Sequence, residues 1–307
     1  MQPTLRQKRP RARITGLNDP RIVPYIMISP FVIYLLCVYL YPTIASVVMS
    51  FQRIDGPRTA EFIGLSNYGK LLNKNYIMAL KTTAWFTVWD VAILIPVPLL
   101  FAAMLASRHA PFPNFFKSLY FIPALTSIIV AGIVFRLAFG SLETSLANRF
   151  IGVLGMQPRM WLQFAGTSNF VLVLLTLWRW MGVNIVYFYS AIQAIPQDLH
   201  EAGRIDGANA VQAFLHITLP SIRPTLIYVL TITVLGGFSM FTESVALWQQ
   251  SNPGGIGRTI VGYMYMMGIT KNNMGLASAI GITLLGLVFA VNMVQLVLMG
   301  FFKKEDA

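Results

Sequence analysis

Apolar residues in this chain come in runs of roughly 20 or more, separated by short polar segments. A helix needs about 20 such residues to cross the hydrocarbon core of a bilayer. The strands of a transmembrane barrel would instead alternate over ~10-residue segments, and no such pattern is present. Six spans are predicted, at about Val23–Phe51, Met78–Ala106, Phe116–Phe139, Asn169–Ile192, Thr225–Leu247 and Leu276–Phe302. Pro30, Pro42, Pro96, Pro98 and Pro123 fall inside them and predict kinks, whose freed carbonyls neighbouring helices can re-satisfy. The first run is too long for a signal-peptide core and no small-residue cleavage site follows it, so it reads as a retained span. The longest polar stretches, 52–77, 140–168, 193–224 and 248–275, leave no room for a separate large domain. The last is rich in glycine and asparagine at Asn252-Pro253-Gly254-Gly255-Ile256-Gly257, a loop signature.

Composition narrows the class. Of 307 residues, 56% are hydrophobic and 11% charged, where soluble domains carry about a quarter charged. The expected fold is therefore all-α and integral to the membrane. The single cysteine, Cys37, excludes a disulfide framework or a cysteine-based metal cage. His109, His200 and His216 are too scattered to suggest a metal site. No P-loop of the GxxxxGK(S/T) form occurs, and no constellation of His, Asp, Cys or Ser stands at reactive spacing, so the chain is not expected to be an enzyme.

The net charge of +12 could reflect nucleic acid, anionic lipid or topology, and position decides among them. Arg6, Lys8, Arg9, Arg11, Arg13 and Arg21, against Asp19 alone, precede the first span. That block predicts a cytoplasmic N-terminus, and six spans return Lys303 and Lys304 to the same side. A nucleic-acid surface would interleave basic and aromatic residues on a soluble domain, and the chain has none. The bilayer is the expected partner of most of the surface, and no nucleic acid is expected.

The stretch 195–224, between the fourth and fifth spans, carries the most information. Pro196 suits a first helical position, and Asp198 and Glu201 sit where the helix dipole favours anions. Leu199, Ala202 and Ile205 recur at spacing three and make one narrow apolar stripe. Gly207 breaks the helix. A second short amphipathic run carries Val211, Phe214, Leu215 and Ile217, and Pro220 ends it. A helix–turn–helix elbow is predicted, with Ala202 and Gly203 small enough for another protein to approach closely. Asp206 can cap the second helix or pair with Arg204.

This segment resembles the EAA loop of ABC-importer permeases, whose pattern is E-A-A, three residues, G, nine residues, I-x-L-P. Glu201-Ala202-Gly203, Gly207 and Ile217-Thr218-Leu219-Pro220 fit that spacing, with Gly203 where alanine is usual. The longer form I-P-x-x-L-x-E-A-x-x-I-D-G-A runs from Ile195 to Ala208 and is similar to the carbohydrate branch, that of the maltose and glycerol-phosphate permeases. Tyr41-Pro42, Phe62-Ile63-Gly64-Leu65-Ser66-Asn67-Tyr68 and Met274-Gly275-Leu276-Ala277-Ser278-Ala279-Ile280 extend the resemblance over about residues 24–302.

The resemblance implies a type I importer transmembrane domain. It would have a basic cytoplasmic segment at 1–22, a first helix and external loop at 23–77, a five-helix core at 78–302 and a tail at 303–307. The elbow would be a coupling helix docked on a cytoplasmic ATPase. Its coupling residues would be Glu201, Ala202, Gly203, Asp206, Gly207, Ile217, Leu219 and Pro220. The implied partners are a second homologous permease, two ATP-binding cassette subunits carrying ATP and Mg, and an external solute-binding protein. This chain itself needs no cofactor. The cargo would be a sugar or oligosaccharide, with a polyol or glycerol-phosphate as the alternative. A self-contained secondary transporter is a weaker alternative, because no internal repeat is evident.

Polar residues inside spans usually face the bundle interior. Thr176, Trp180, Asn184 and Tyr187 share one face of the fourth span, with Arg179 beside it. The fifth offers Thr233, Phe238, Ser239, Phe241 and Glu243. An aromatic ring beside amide and hydroxyl groups suits a sugar ring and its hydroxyls, and the resemblance places sugar contacts near the middles of these two spans. Two cross-helix pairs are expected: Asp90 with Arg136, and Glu243 with Arg179. Gly236-Gly237, Gly281 and Gly286 read as helix-packing or hinge positions.

Overall fold

The computed structural model describes residues 22–54, 60–107, 110–248 and 253–301. The basic N-terminal block, Lys303, Lys304, His109 and Asn252 lie outside the described residues. In chain order the elements are α1 (Val23–Ser50), a hairpin of β1 (Gln52–Ile54) and β2 (Ala60–Phe62), α2 (Ser66–Gly69), α3 (Lys74–Ala106), α4 (Pro113–Leu125) and α5 (Ile128–Ala138). There follow α6 (Leu146–Val153), α7 (Ala165–Gln193), α8 (Gln197–Ile205), α9 (Ala210–Ser221), α10 (Arg223–Phe238), α11 (Thr242–Trp248), α12 (Ile260–Thr270) and α13 (Met274–Leu298). The hairpin is antiparallel, with Arg53 opposite Glu61, and it is the only sheet among the described residues.

Helices α1, α3, α7 and α13 are each long and apolar enough to cross a bilayer, at 25 to 33 residues. The first, second, fourth and sixth predicted spans therefore form within a few residues of their expected ends. The third and fifth are not straight. The third is split into α4 and α5, which meet at 94° where Thr126 and Ser127 adopt extended backbone. The fifth ends at Phe238, and the chain runs through Ser239–Phe241 before α11 begins. The expected loop 248–275 holds α12, whose Ile260, Tyr263 and Met267 pack against α3 and α13.

Three of the prolines are accommodated in two ways. Before Pro42, the turns of Leu35–Leu40 widen to a π-type pattern, and Tyr41 N–H bonds Leu36 O. Before Pro220, the same widening occurs over Phe214–Thr218. The helix therefore runs through Pro220 rather than ending there as predicted, and bends by 72° at Ile222 into α10. In α3, Pro98 cannot donate to the Leu94 carbonyl. The Asn184 amide of α7 donates to it instead, at 2.9 Å.

Helix α7 is the centre of the packing. It contacts α3, α4, α5, α10 and α11, and its Val171, Leu172, Leu175, Ile185 and Phe188 are fully buried. Gly182 allows the closest of these approaches: a Cβ there would lie 1.8 Å from the Tyr120 carbonyl oxygen of α4. Large apolar side chains elsewhere point outward in number, and none of α1 from Val23 to Met49 is buried. In water such a surface would drive aggregation; against lipid it costs nothing.

Two asparagines tie the connections at the end opposite the elbow. Asn67, in the Phe62–Tyr68 motif, donates to Ser50 O and Gln52 O, and Tyr68 meets the Ser50 hydroxyl at 2.7 Å. The motif thus fastens the end of α1 to the start of α13, where Gly275 abuts Gln52. Asn148 organises the segment between α5 and α7. Its amide donates to the carbonyls of Gly140, Leu142 and Arg159, and its oxygen accepts from Arg159 N–H and Trp161 Nε1.

Candidate functional site

A cavity of about 330 Å³ opens between α3, α7, α10 and the break that follows α10. Thr176, Trp180, Asn184 and Tyr187 line it from α7, with Thr233 from α10 and Glu243 from α11. The four-residue face predicted on α7 is therefore a single wall, because spacings of three and four superpose side chains on a helix. Gly236, Ser239, Met240 and Thr242 complete the lining. Ser239 is among the expected candidates, whereas Met240 and Thr242 are not; a helix read straight through to Leu247 turns Thr242 half a turn away from Thr233, and Met240 is apolar and gives no polar signal.

The polar groups divide into those satisfied within the protein and those that are not. Thr176 Oγ1 donates to Leu172 O and Thr233 Oγ1 to Val229 O, one turn back in their own helices. Each hydroxyl oxygen keeps its acceptor capacity. The Asn184 amide nitrogen is spent on Leu94 O. Trp180, 42% exposed, presents a broad apolar ring beside these groups, and Tyr187 packs edge-on against Tyr228 at 5.5 Å.

The expected pair of Glu243 with Arg179 is present. Arg179 Nη1 donates to Glu243 Oε1 at 3.1 Å, and both side chains are largely buried. Thr242 Oγ1 donates to the second carboxylate oxygen at 3.0 Å, and the guanidinium lies 5.5 Å from the Trp180 ring centre. Arg179 itself does not line the cavity. The expected pair of Asp90 with Arg136 is not among the ion pairs of the described residues. Asp90 faces the cavity instead, 2% exposed, and its Oδ1 has no hydrogen-bond partner among the described residues. Phe238 and Phe241 are also absent from the lining: Phe238 is buried, and the Phe241 ring stacks with Tyr265 at 5.1 Å. Both glycines of the small-residue pair border the cavity, and Gly237 also packs on Thr87.

The elbow forms as two helices, α8 and α9. Gly207 takes φ +79°, a left-handed conformation natural to glycine. Ala208 N–H then bonds Gly203 O and Gly207 N–H bonds Arg204 O, which closes the end of α8 in a Schellman arrangement. Asp206 precedes that turn and does not cap α9. The cap is Asn209, in a reciprocal box with Gln212. Gly203 is used inside the elbow rather than toward a partner, because Ile217 Cδ1 fills the space where a Cβ would stand. Glu201, Ala202, Asp206, Gly207 and Pro220 are exposed, and Leu219 is half-buried. The Leu199–Ala202–Ile205 stripe faces outward, with Ile205 87% exposed. A loop that merely capped the bundle would turn that stripe inward.

No group of three or more potential metal ligands occurs among the described residues. The sequence pattern of a family described as "Binding-protein-dependent transport system inner membrane component" matches residues 95–303. The chain is 51% identical over 298 residues to the arabinooligosaccharides transport system permease protein AraP of Bacillus subtilis, covering 96% of this chain and 95% of that one. It is 45% identical over 292 residues to the protein of the same name from Halalkalibacterium halodurans, covering 95% and 92%. Its fold matches a chain in the crystal structure of a bacterial alginate ABC transporter in complex with an alginate pentasaccharide-bound periplasmic protein. There the TM-score is 0.81 at 21% identity, over 92% of this chain and 96% of that one.

Proposed function

Because the chain belongs to the binding-protein-dependent transport system inner membrane components, we propose that it forms half of the translocation pathway of an ATP-driven importer for an arabinose-containing oligosaccharide. The observation that carries this reading is the 51% identity to the arabinooligosaccharide permease, sustained over almost the whole of both chains. The cavity beside Trp180 is the solute site in this half. Its ring offers a stacking face, and the oxygens of Thr176 and Thr233 accept from hydroxyls.

The elbow, with Glu201 and the exposed Leu199–Ile205 stripe, docks on a partner ATPase, which supplies ATP and Mg. A second permease completes the pathway, two ATPase subunits drive it, and an external binding protein delivers the solute. The complex of the alginate transporter with its loaded periplasmic protein supports that arrangement by analogy of fold. The basic block at residues 6–21 favours a cytoplasmic N-terminus, and an even number of spans puts the C-terminus and the elbow on the same side.

The test is reconstitution of the complete transporter in vesicles, with loaded binding protein outside and ATP inside. Labelled arabinotriose should accumulate only when the ATPase is present. Trp180→Ala should raise KM for uptake while leaving ATP hydrolysis intact, and Glu201→Ala should uncouple hydrolysis from uptake. Accumulation without the ATPase, or none with it, would overturn the reading.

A further inference from the structure

The cavity holds two acidic side chains and no cationic one. Asp90 and Glu243 both line it, and no Lys, Arg or His does among the described residues. The nearest guanidinium, Arg179, is already engaged by Glu243 from behind the wall. Burying a polar atom without a partner costs free energy, and buried polar groups are otherwise hydrogen-bonded almost without exception. Asp90 Oδ1 breaks that rule, and among the described residues with such an atom Asp90 alone lines the cavity.

We propose that Asp90 is a specificity-determining residue of this transporter: its unpartnered carboxylate oxygen takes a hydroxyl of a neutral sugar, and the cation-free lining turns away sugars that carry a carboxylate or phosphate. The proposal rests on the reading of the cavity as the solute site. A sugar hydroxyl is both donor and acceptor, so it meets Oδ1 whether Asp90 is ionised or protonated. A uronate or sugar phosphate brings its own anion. It then faces like charge if Asp90 is ionised, or loses its hydration without a counter-ion if it is not. Either outcome disfavours it. Glycerol-phosphate, an alternative cargo on sequence grounds, is disfavoured by the same chemistry.

Helix placement makes the assignment specific. Thr176 and Thr233 already donate to their own helices, Glu243 is engaged by Arg179 and Thr242, and Asn184 spends its amide on Leu94 O. Asp90 from α3 and Trp180 from α7 line the same cavity, so one solute can meet both. A hydrogen bond to a charged group contributes enough to shift affinity by about tenfold or more.

The experiment uses the complete transporter in lipid nanodiscs without the external binding protein, so that selection in the membrane is read alone. Two probes are titrated and followed by saturation-transfer NMR: arabinotriose and a galacturonic-acid trisaccharide. The wild type should bind arabinotriose at least about tenfold more tightly than the uronate. Asp90→Asn should weaken arabinotriose and bring the two affinities to within about threefold of each other. Equal binding of the two probes by the wild type overturns the proposal whatever the variants do, and needs no variant to fold. A Trp180→Ala variant separates the levels. If it weakens arabinotriose while Asp90→Asn leaves both affinities unchanged, the cavity is the solute site and Asp90 is not its selector. If neither variant changes binding, the reading of the cavity itself fails.

Discussion

Removing either partner of the Arg179–Glu243 pair should destabilise the protein strongly, and removing both should not. The two side chains are 14% and 11% exposed, and a single Nη1–Oε1 contact of 3.1 Å joins them. Breaking a buried pair by deleting one partner typically costs about 3–5 kcal/mol, because the survivor is left charged and uncompensated. Here the contact is single and Arg179 Nε has no partner among the described residues, which places the loss of Glu243 near the lower end. Arg179→Met leaves Glu243 facing Asp90 in a cation-free cavity, which places that loss near the upper end. The double variant Arg179→Met/Glu243→Leu removes both charges, a change that is often neutral or stabilising. The coupling energy should therefore be about 3 kcal/mol or more. Thermal unfolding of the purified transporter in detergent measures it. At roughly 2–4 °C per kcal/mol, each single variant should lose about 6–20 °C in apparent Tm, and the double variant should recover most of that. A double variant whose loss equals the sum of the singles would refute the buried pair.

Three further outcomes follow from the packing. Gly182→Ala puts a Cβ 1.8 Å from the Tyr120 carbonyl oxygen, a backbone atom that cannot rotate away, so α4 must shift. The cost should reach or exceed the ~1–3 kcal/mol of ordinary overpacking, read as a lower Tm, and an unchanged Tm would exclude this approach of α4 to α7. Asn148→Ala leaves Arg159 O, Arg159 N–H and the Trp161 indole without a partner, while Gly140 O and Leu142 O keep their bonds from Ser145. A loss of about 3 kcal/mol or more is expected, with faster proteolysis of residues 140–161, and wild-type resistance would contradict the hub. Ile205→Asp changes a side chain that is 87% exposed, so Tm should stay within about 0.5 kcal/mol equivalent of wild type. Solute-stimulated ATP hydrolysis in the assembled transporter should nevertheless fall several-fold, and unchanged hydrolysis would argue against the stripe as a docking face.

Hydropathy reports where a helix is apolar, not where it bends, and the differences between sequence and structure follow from that. The long runs of α1, α3, α7 and α13 are legible because each helix carries on through any proline it holds, with π-type turns before Pro42 and the Asn184 amide serving the carbonyl that Pro98 leaves free. The corner at Thr126–Ser127 and the break at Ser239–Phe241 lie inside runs whose composition is indistinguishable from an unbroken span. Helix α12 was hidden behind the glycine-rich stretch that precedes it. Helical spacing identified the α7 wall, since it depends only on residues three and four apart. Asp90 and Asn184 needed the third dimension. One is expected to meet a partner it does not meet, and the other donates to Leu94 O, a carbonyl left free by a proline 86 positions away in sequence, Pro98. In the elbow, Asn209 and not Asp206 caps the second helix because the Gly207 turn spends an extra residue before α9 starts.

The bend at Ile222 makes α10 a lever. Its 16 residues form a rod about 24 Å long, with the elbow at one end and the cavity wall of Gly236 and Ser239 at the other. A tilt of about ten degrees at the elbow end would carry the far end through about 4 Å, given that length. At Thr233, about 15 Å from the bend, the same tilt gives about 2.6 Å, close to the length of a hydrogen bond, so one modest rotation would draw the α10 side of the cavity away from the α7 wall. Release would then be governed by an angle rather than by the loosening of individual bonds.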